Sequence, residues 1–127
     1  MWDKIARTGT FRDMNGNVYT FTKNDLQQMA DNYGKSKELA PVVFGHPETD
    51  SPAQGWVKAL RVNGDTIEAE YQDIKPETKE AIRNKEYRYK SIAVNPGTNT
   101  LRHVGLLGAI SPAMSGLGDI AFANEDK

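Results

Sequence analysis

Short strand-like runs separated by turn signals are the feature that most constrains how this chain can fold. Runs rich in β-branched and aromatic residues recur along its length, at 5–11, 18–21, 41–44, 55–62, 66–71, 87–94 and 100–107. Polar turns separate them, and Asn63-Gly64-Asp65 is a strong β-hairpin signal. The sequence therefore predicts a β-rich domain with about seven mainly antiparallel strands, closed into a small barrel.

Two helices are predicted between the strands. Thr22 and Asp25 have the spacing of a capping box at the start of the first helix. Apolar side chains then follow at helical spacing and form one stripe, made of Leu26, Met29, Ala30 and Tyr33. Gly34 has the position expected of a C-cap. Pro76 opens the second helix, which is expected to end near Lys85. The fold class is thus α+β and β-rich, with two or three helices outside the barrel.

Length, charge and composition limit the function classes. The chain has 127 residues, sixteen basic and seventeen acidic side chains, a net charge of -1 and no cysteine. No basic block predicts nucleic-acid binding, and no apolar run reaches the roughly 18 residues of a membrane span. We expect one domain over residues 1–118, without cofactor or metal, followed by a flexible tail at 119–127.

The chain contains two histidines, and both occupy informative positions. His46 follows a predicted strand between Gly45 and Pro47, where the proline restricts the preceding backbone to extended conformations. His103 lies inside a predicted strand, which is an unusual place for a polar ring. A structural, hydrogen-bonded role is the alternative interpretation for each histidine.

A serine in the neighbouring strand is expected to face His103. If the loop between the last two strands comprises the five residues 95–99, Val94 pairs with Thr100 and Ser91 pairs with His103. Cβ atoms of directly paired residues lie roughly 4.5–5.5 Å apart, which allows a hydroxyl–imidazole hydrogen bond. A loop of four or six residues would shift the register by one and turn His103 to the opposite face.

Serine and histidine together predict nucleophilic chemistry. A hydroxyl attacks efficiently only when a base removes its proton, and a neutral imidazole can accept that proton and return it later. His46 can act either as this base or as the group that orients it. A Ser-Lys dyad with Lys90 is disfavoured, because adjacent strand residues point to opposite faces. A metal site made of His46, His103 and one nearby carboxylate, such as Glu48 or Asp50, is the other alternative, although no zinc-binding helical motif accompanies it.

The order of several short motifs resembles a known family. These motifs are Gly45-His46-Pro47, Gly55-Trp56-Val57, Tyr87-Arg88-Tyr89-Lys90-Ser91, Leu101-Arg102-His103-Val104-Gly105-Leu106 and Ser111-Pro112-Ala113. The series resembles the Mu-like prophage I protein family, whose members are protease and scaffold components of the phage head. The order histidine, serine, histidine is also similar to that of herpesvirus assemblin and the wider prohead protease group.

The resemblance implies a specific function. It implies a serine endopeptidase with an assemblin-like barrel, in which Ser91 is the nucleophile, His46 the general base and His103 the third member of the triad. Its substrates would be the phage scaffold and major capsid proteins and its own precursor. The implied location is the assembling prohead in the host bacterial cytoplasm, and a weak homodimer is implied as well.

Two departures from the assemblin pattern leave alternatives open. Assemblins carry an arginine pair that stabilises the oxyanion, whereas the segment Gly108–Ala113 contains no arginine, so backbone N–H groups would have to replace it. Many phage relatives use an acidic third member in place of a histidine. Residues 119–127 would be the start of a scaffold segment that is missing here. The alternative function is a non-catalytic head-assembly module that binds scaffold or coat protein.

Overall fold

The computed structural model of the protein describes residues 1–13, 15–95 and 97–121. These residues form eight strands and two helices. In chain order they are β1 (Asp3–Arg7), β2 (Gly9–Arg12), β3 (Val18–Phe21), α1 (Lys23–Lys35), β4 (Pro41–Phe44), β5 (Gly55–Asn63), β6 (Thr66–Gln72), α2 (Pro76–Arg83), β7 (Tyr89–Asn95) and β8 (Thr100–Leu107). The predicted strand at 5–11 is divided at Thr8 into β1 and β2.

Six strands form one curved sheet in the order β1-β6-β5-β4-β8-β7, and β2 and β3 form a separate hairpin. Neighbouring strands of the large sheet are antiparallel except β4 and β8, which are parallel. The outer strands β1 and β7 contact each other without forming a ladder, so the sheet is nearly closed and has one seam. The predicted β-rich, barrel-like α+β fold is therefore confirmed.

Helix α1 begins as the sequence predicts. The Thr22 backbone N–H donates to Asp25 Oδ2 at 2.8 Å, and the Asp25 N–H donates to Thr22 Oγ1 at 3.1 Å. These two bonds complete a capping box. The prediction that Gly34 caps the other end was wrong, because the helix continues to Lys35 and Ser36 is the C-cap, with extended backbone. Gly34 has ordinary helical geometry, so nothing in the backbone there requires glycine.

The core lies between the sheet, the inner face of α1 and the segment after β8. Its fully buried members are mainly aliphatic, as the alternation along the strands requires. The most buried are Ile5, Ala6, Leu26, Met29, Val42, Val57, Ile67, Ala69, Val104 and Leu106.

A buried ion pair spans the seam. Lys90 on β7 and Asp3 on β1 are each 1% exposed, and the Lys90 Nζ–Asp3 Oδ1 distance is 2.8 Å. The Tyr71 hydroxyl donates to the other oxygen of Asp3. Burial raises the pKa of Asp3, and the Lys90 ammonium opposes that rise. The two edge strands are thus joined by a charge pair instead of a backbone ladder.

The same ion pair holds the segment that follows β8. Lys90 Nζ donates to the carbonyl oxygens of Leu117, Gly118 and Asp119 at 3.1–3.3 Å. The backbone N–H of Ala121 donates to Asp3 Oδ1 at 3.0 Å. Residues 119–121 of the predicted tail therefore pack on the domain, and residues 122–127 lie outside the described part of the chain.

Candidate functional site

The pairing of β7 and β8 differs from the predicted register. Asn95 pairs with Thr100, so the connecting loop spans the four residues 96–99. Ser91 pairs with Gly105, and not with His103. The prediction that Ser91 lies directly opposite His103 was therefore wrong, because it rested on a five-residue loop.

A β-bulge returns His103 to the face of Ser91. Ala93 pairs with His103 and Val94 with Leu101, which leaves Arg102 as the extra residue of β8. The shorter loop shifts the register by one residue, and the bulge shifts it by one more. Since a shift of two residues restores the face, His103 becomes the diagonal neighbour of Ser91. Diagonal neighbours have Cα atoms roughly 7–8 Å apart, within reach of a long or aromatic side chain.

Gly105 leaves room for His46 opposite Ser91. A Cβ atom at Gly105 would lie 2.3 Å from the carbonyl oxygen of Gly45 and 3.4 Å from Cε1 of His46. The chain leaves β4 through Gly45, which has φ of 64° and donates its N–H to Leu106 O at 2.9 Å. The missing side chain at Gly105 therefore allows the segment after β4 to bring His46 to this face.

The two histidines form a hydrogen-bonded pair. His46 Nδ1 and His103 Nε2 are 2.7 Å apart, and the ring centroids are 5.0 Å apart. One ring must donate and the other accept, so each neutral ring holds its partner in a defined tautomer. Both rings and Ser91 border one cleft of about 450 Å³. The Ser91 hydroxyl makes no hydrogen bond to any described residue.

The environment of the pair favours neutral imidazoles. Burial lowers the pKa of His46, although this residue stays partly exposed to solvent. For His103, burial first and then the charges of His46 and Arg102 lower the pKa to about 4. Both rings are therefore uncharged near neutral pH, which is the state in which imidazole accepts a proton.

The cleft also contains residues to which the sequence analysis assigned no role in the site. Arg102 is exposed and borders the cleft next to His103, as do Tyr19 and the segment Ser111–Ala113. Regular strand alternation places Arg102 on the face opposite His103, and only the bulge allows both to reach the cleft. No sequence signal marks the bulge, since Arg102 fits a regular strand equally well.

The structure does not support the two alternative sites, which are the Ser-Lys dyad and the metal site. The Lys90 side chain points away from Ser91 into the seam, where its ammonium is bound by Asp3. Glu48 and Asp50 do not border the cleft of His46. Across residues 1–13, 15–95 and 97–121, no three His, Cys, Asp or Glu side chains are placed to hold a metal ion. Among the same residues, no helix is long and apolar enough to cross a membrane.

A serine and a histidine pair, gathered on the outer face of a nearly closed β-sheet, define a candidate nucleophile–imidazole site. The chain belongs to the Mu-like prophage I protein family, because the family model described as "Mu-like prophage I protein, N-terminal domain" matches residues 4–121. The predicted resemblance to this family is thereby confirmed, and it connects the domain with phages. No curated protein and no solved structure matches the chain. The relation to prohead proteases and assemblin stays a prediction.

Proposed function

We propose that this domain is a serine endopeptidase of phage head maturation, with Ser91 as nucleophile, His46 as general base and His103 as the group that orients His46. The observation that supports it best is the convergence of all three side chains on one cleft, with the two rings 2.7 Å apart. Ser91 and His103 come from the consecutive strands β7 and β8, whereas His46 comes from the loop after β4, much earlier in the sequence.

The hydrogen bond between the rings suggests how the roles are divided. His46 uses Nδ1 toward His103, so its Nε2 is the ring nitrogen left for a serine hydroxyl. If His46 donates from Nδ1 and His103 accepts at Nε2, the Nε2 of His46 carries a lone pair. That is the tautomer a general base requires.

The reaction follows the acyl-transfer scheme in two steps. In the first, Ser91 Oγ bonds to the carbonyl carbon of the substrate while its proton moves to His46 Nε2. The C–N bond then breaks, and His46 returns the proton to the leaving amine. In the second, a water molecule loses a proton to His46 and attacks the acyl-enzyme, and the proton passes to Ser91 as the acid product leaves.

His103 supports this cycle as a neutral acceptor. When His46 gains a proton, the hydrogen bond to His103 Nε2 stabilises the resulting imidazolium. A protonated His103 could not accept that bond. Burial first, and then the charges of His46 and Arg102, lower the pKa of His103, which keeps His103 in the accepting form near neutral pH.

Family membership supports the biological setting of the proposal. As substrates we propose the phage scaffold and major capsid proteins and the precursor of the protease itself, within the assembling prohead in the host cytoplasm. A weak homodimer is part of the same proposal.

Covalent labelling tests the nucleophile without requiring a known substrate. The 127-residue chain is incubated with diisopropyl fluorophosphate, and intact-mass and peptide mass spectrometry locate the phosphoryl group. We expect one label, on Ser91, that Ser91→Ala abolishes. The matched control is Ser51→Ala, which changes an exposed serine outside the cleft and should leave labelling unchanged. His46→Gln should slow labelling by about a hundredfold or more.

Cleavage of head proteins tests the substrate. The chain is co-expressed with the scaffold and major capsid proteins of the phage that encodes it, and products are identified by mass spectrometry. We expect processing that Ser91→Ala abolishes while the circular dichroism spectrum stays unchanged. A folded protein that is neither labelled at Ser91 nor able to cleave these proteins would refute the proposal. It would favour the non-catalytic assembly module instead.

A further inference from the structure

The seam edge of β7 forms no backbone ladder with β1, although the two strands contact each other. β7 is a terminal strand of the sheet, and its ladder is formed with β8 alone. Within the described residues, no backbone hydrogen bond joins positions 89–94 to any segment other than β8. An edge strand with unpaired N–H and C=O groups is a template for another extended segment.

An apolar cavity of about 280 Å³ lies along this edge of β7. Its walls come from both sides of the seam and from the segment after β8, and they include Ile5, Phe21, Ile92, Val94, Met114 and Leu117. Among the described residues, the one charged side chain that borders it is Lys90, whose ammonium is bound by Asp3 and by three carbonyl oxygens. The cavity therefore offers no unpaired charge to a ligand.

The cavity is continuous with the histidine cleft. Tyr19, Ser91, Ile92 and Pro112 border both spaces. Ile92 is on the core-facing side of β7, whereas Ser91 is on the side that carries the histidine pair. A segment extended beside β7 would also alternate its side chains between these two sides.

We infer that the seam cavity binds the substrate polypeptide, by receiving one large apolar side chain of a segment extended along the edge of β7. This inference rests on the proposed peptidase function, since it identifies the substrate class of the same site. The side chain is aliphatic or aromatic, because burying a charged group here would leave it without a partner. The next residue of the segment then faces the cleft that contains Ser91 and His46.

Peptide binding to a non-cleaving variant tests the inference. Ser91→Ala chain is titrated with two acetylated, amidated heptapeptides that differ only in a central Leu or Ser, and backbone amide NMR shifts are followed. We expect the Leu peptide to bind about tenfold tighter or more. The shifts should concentrate at β7 and at the cavity residues. Equal affinities, shifts confined to another surface, or no binding of either peptide would each overturn the inference.

A cavity-filling variant tests the position of the bound side chain. Val94 is half-buried and borders the cavity but not the histidine cleft. Val94→Phe, in the Ser91→Ala background, should weaken binding of the Leu peptide about tenfold or more. Val18→Phe makes the same change at an exposed position of β3 outside the cavity and should leave the affinity unchanged. Unchanged affinity in a folded Val94→Phe variant would overturn the inference, and the two-peptide comparison decides the matter if this variant does not fold.

Failure of the inference is distinguishable from failure of the proposed function. Labelling by diisopropyl fluorophosphate reports on Ser91 and needs no side-chain cavity, whereas peptide binding to the Ser91→Ala variant needs no nucleophile. Labelling of Ser91 without a preference for the Leu peptide would leave a peptidase with a different recognition site. Preference for the Leu peptide without labelling would leave a peptide-binding site without catalysis.

Discussion

A methyl group added at Gly105 tests how the structure brings His46 to the face of Ser91. The new Cβ would lie 2.3 Å from Gly45 O and 3.1 Å from Gly45 C. Unstrained contacts between carbon and carbonyl oxygen are about 3.3–3.6 Å, so the segment after β4 must move by about 1 Å. The Gly45 N–H is bonded to Leu106 O at 2.9 Å, and this movement strains that bond as well.

The cost of Gly105→Ala follows from these contacts. Overpacking costs about 1–3 kcal/mol, and one weakened backbone hydrogen bond adds about 0.5–1.5 kcal/mol. We therefore expect the free energy of unfolding to fall by about 1.5–4.5 kcal/mol. At about 4 °C per kcal/mol for a domain of this size, the Tm falls by about 6–18 °C. Since His46 moves with the segment, its hydrogen bond to His103 should also lengthen.

Urea and thermal unfolding measure the stability, and imidazole nitrogen NMR shifts measure the contact between the rings. Gly34→Ala is the control, because no described atom beyond the helix's own backbone and the chain neighbours lies within 4 Å of the new Cβ, and the backbone there is helical. That variant should gain about 0.5–1 kcal/mol. A Gly105→Ala protein with a Tm within about 2 °C of the parent and unchanged histidine shifts would refute the account of how His46 is positioned.

Three further predictions concern buried and paired charges. Lys90→Met leaves the Asp3 carboxylate buried without its cation and should lower the free energy of unfolding by about 3–5 kcal/mol, as measured by urea unfolding at pH 7. Adding Asp3→Asn should recover part of this loss. If the losses of the two single variants simply added in the double variant, the pairing would be contradicted. Because the pKa of His103 is lowered to about 4 in the folded protein, the unfolded chain binds more protons below pH 6.5. The contribution of His103 to the free energy of unfolding should therefore be fully present above about pH 6.5 and be lost as the pH falls toward 4. The loss is at most about 3 kcal/mol before solvent screening reduces it. A His103→Gln variant whose stability has the same pH slope would count against this origin. Arg102→Ala should raise the pKa of His103, because one of the charges that lowers it is removed, and an NMR titration showing no rise would exclude that interaction.

The sequence predicts those parts of the fold that local rules determine. The capping box of Thr22 and Asp25, the hairpin around Gly64 and the start of α2 at Pro76 all depend on residues close in the chain. The helix end was misplaced at Gly34, since glycine favours a C-cap but does not force one. These are local preferences that packing can override.

The site was predicted less completely, because it depends on the register of one hairpin. Ser91, His46 and His103 border one cleft, but the predicted direct pairing of Ser91 with His103 was wrong. A four-residue loop and the bulge at Arg102 each shift the register by one residue. Together they leave His103 on the same side of the sheet as Ser91, although the two are no longer directly paired. Neither is encoded by residue type alone, since both depend on how β8 fits beside β4.

The parallel pairing of β4 with β8 has a consequence for the order of events during folding. The contact between the two imidazoles joins residues 57 positions apart, and β4, which leads into His46, cannot pair with β8 until β8 has been synthesised and docked. Closing a loop over such a separation costs conformational entropy before the contact stabilises the chain. We therefore expect this pairing to form later than the local hairpins. A ribosome-bound chain that ends before β8 would hold Ser91 without His103. The cleft that Ser91 shares with the two imidazoles is thus complete only when the last strand of the domain has docked.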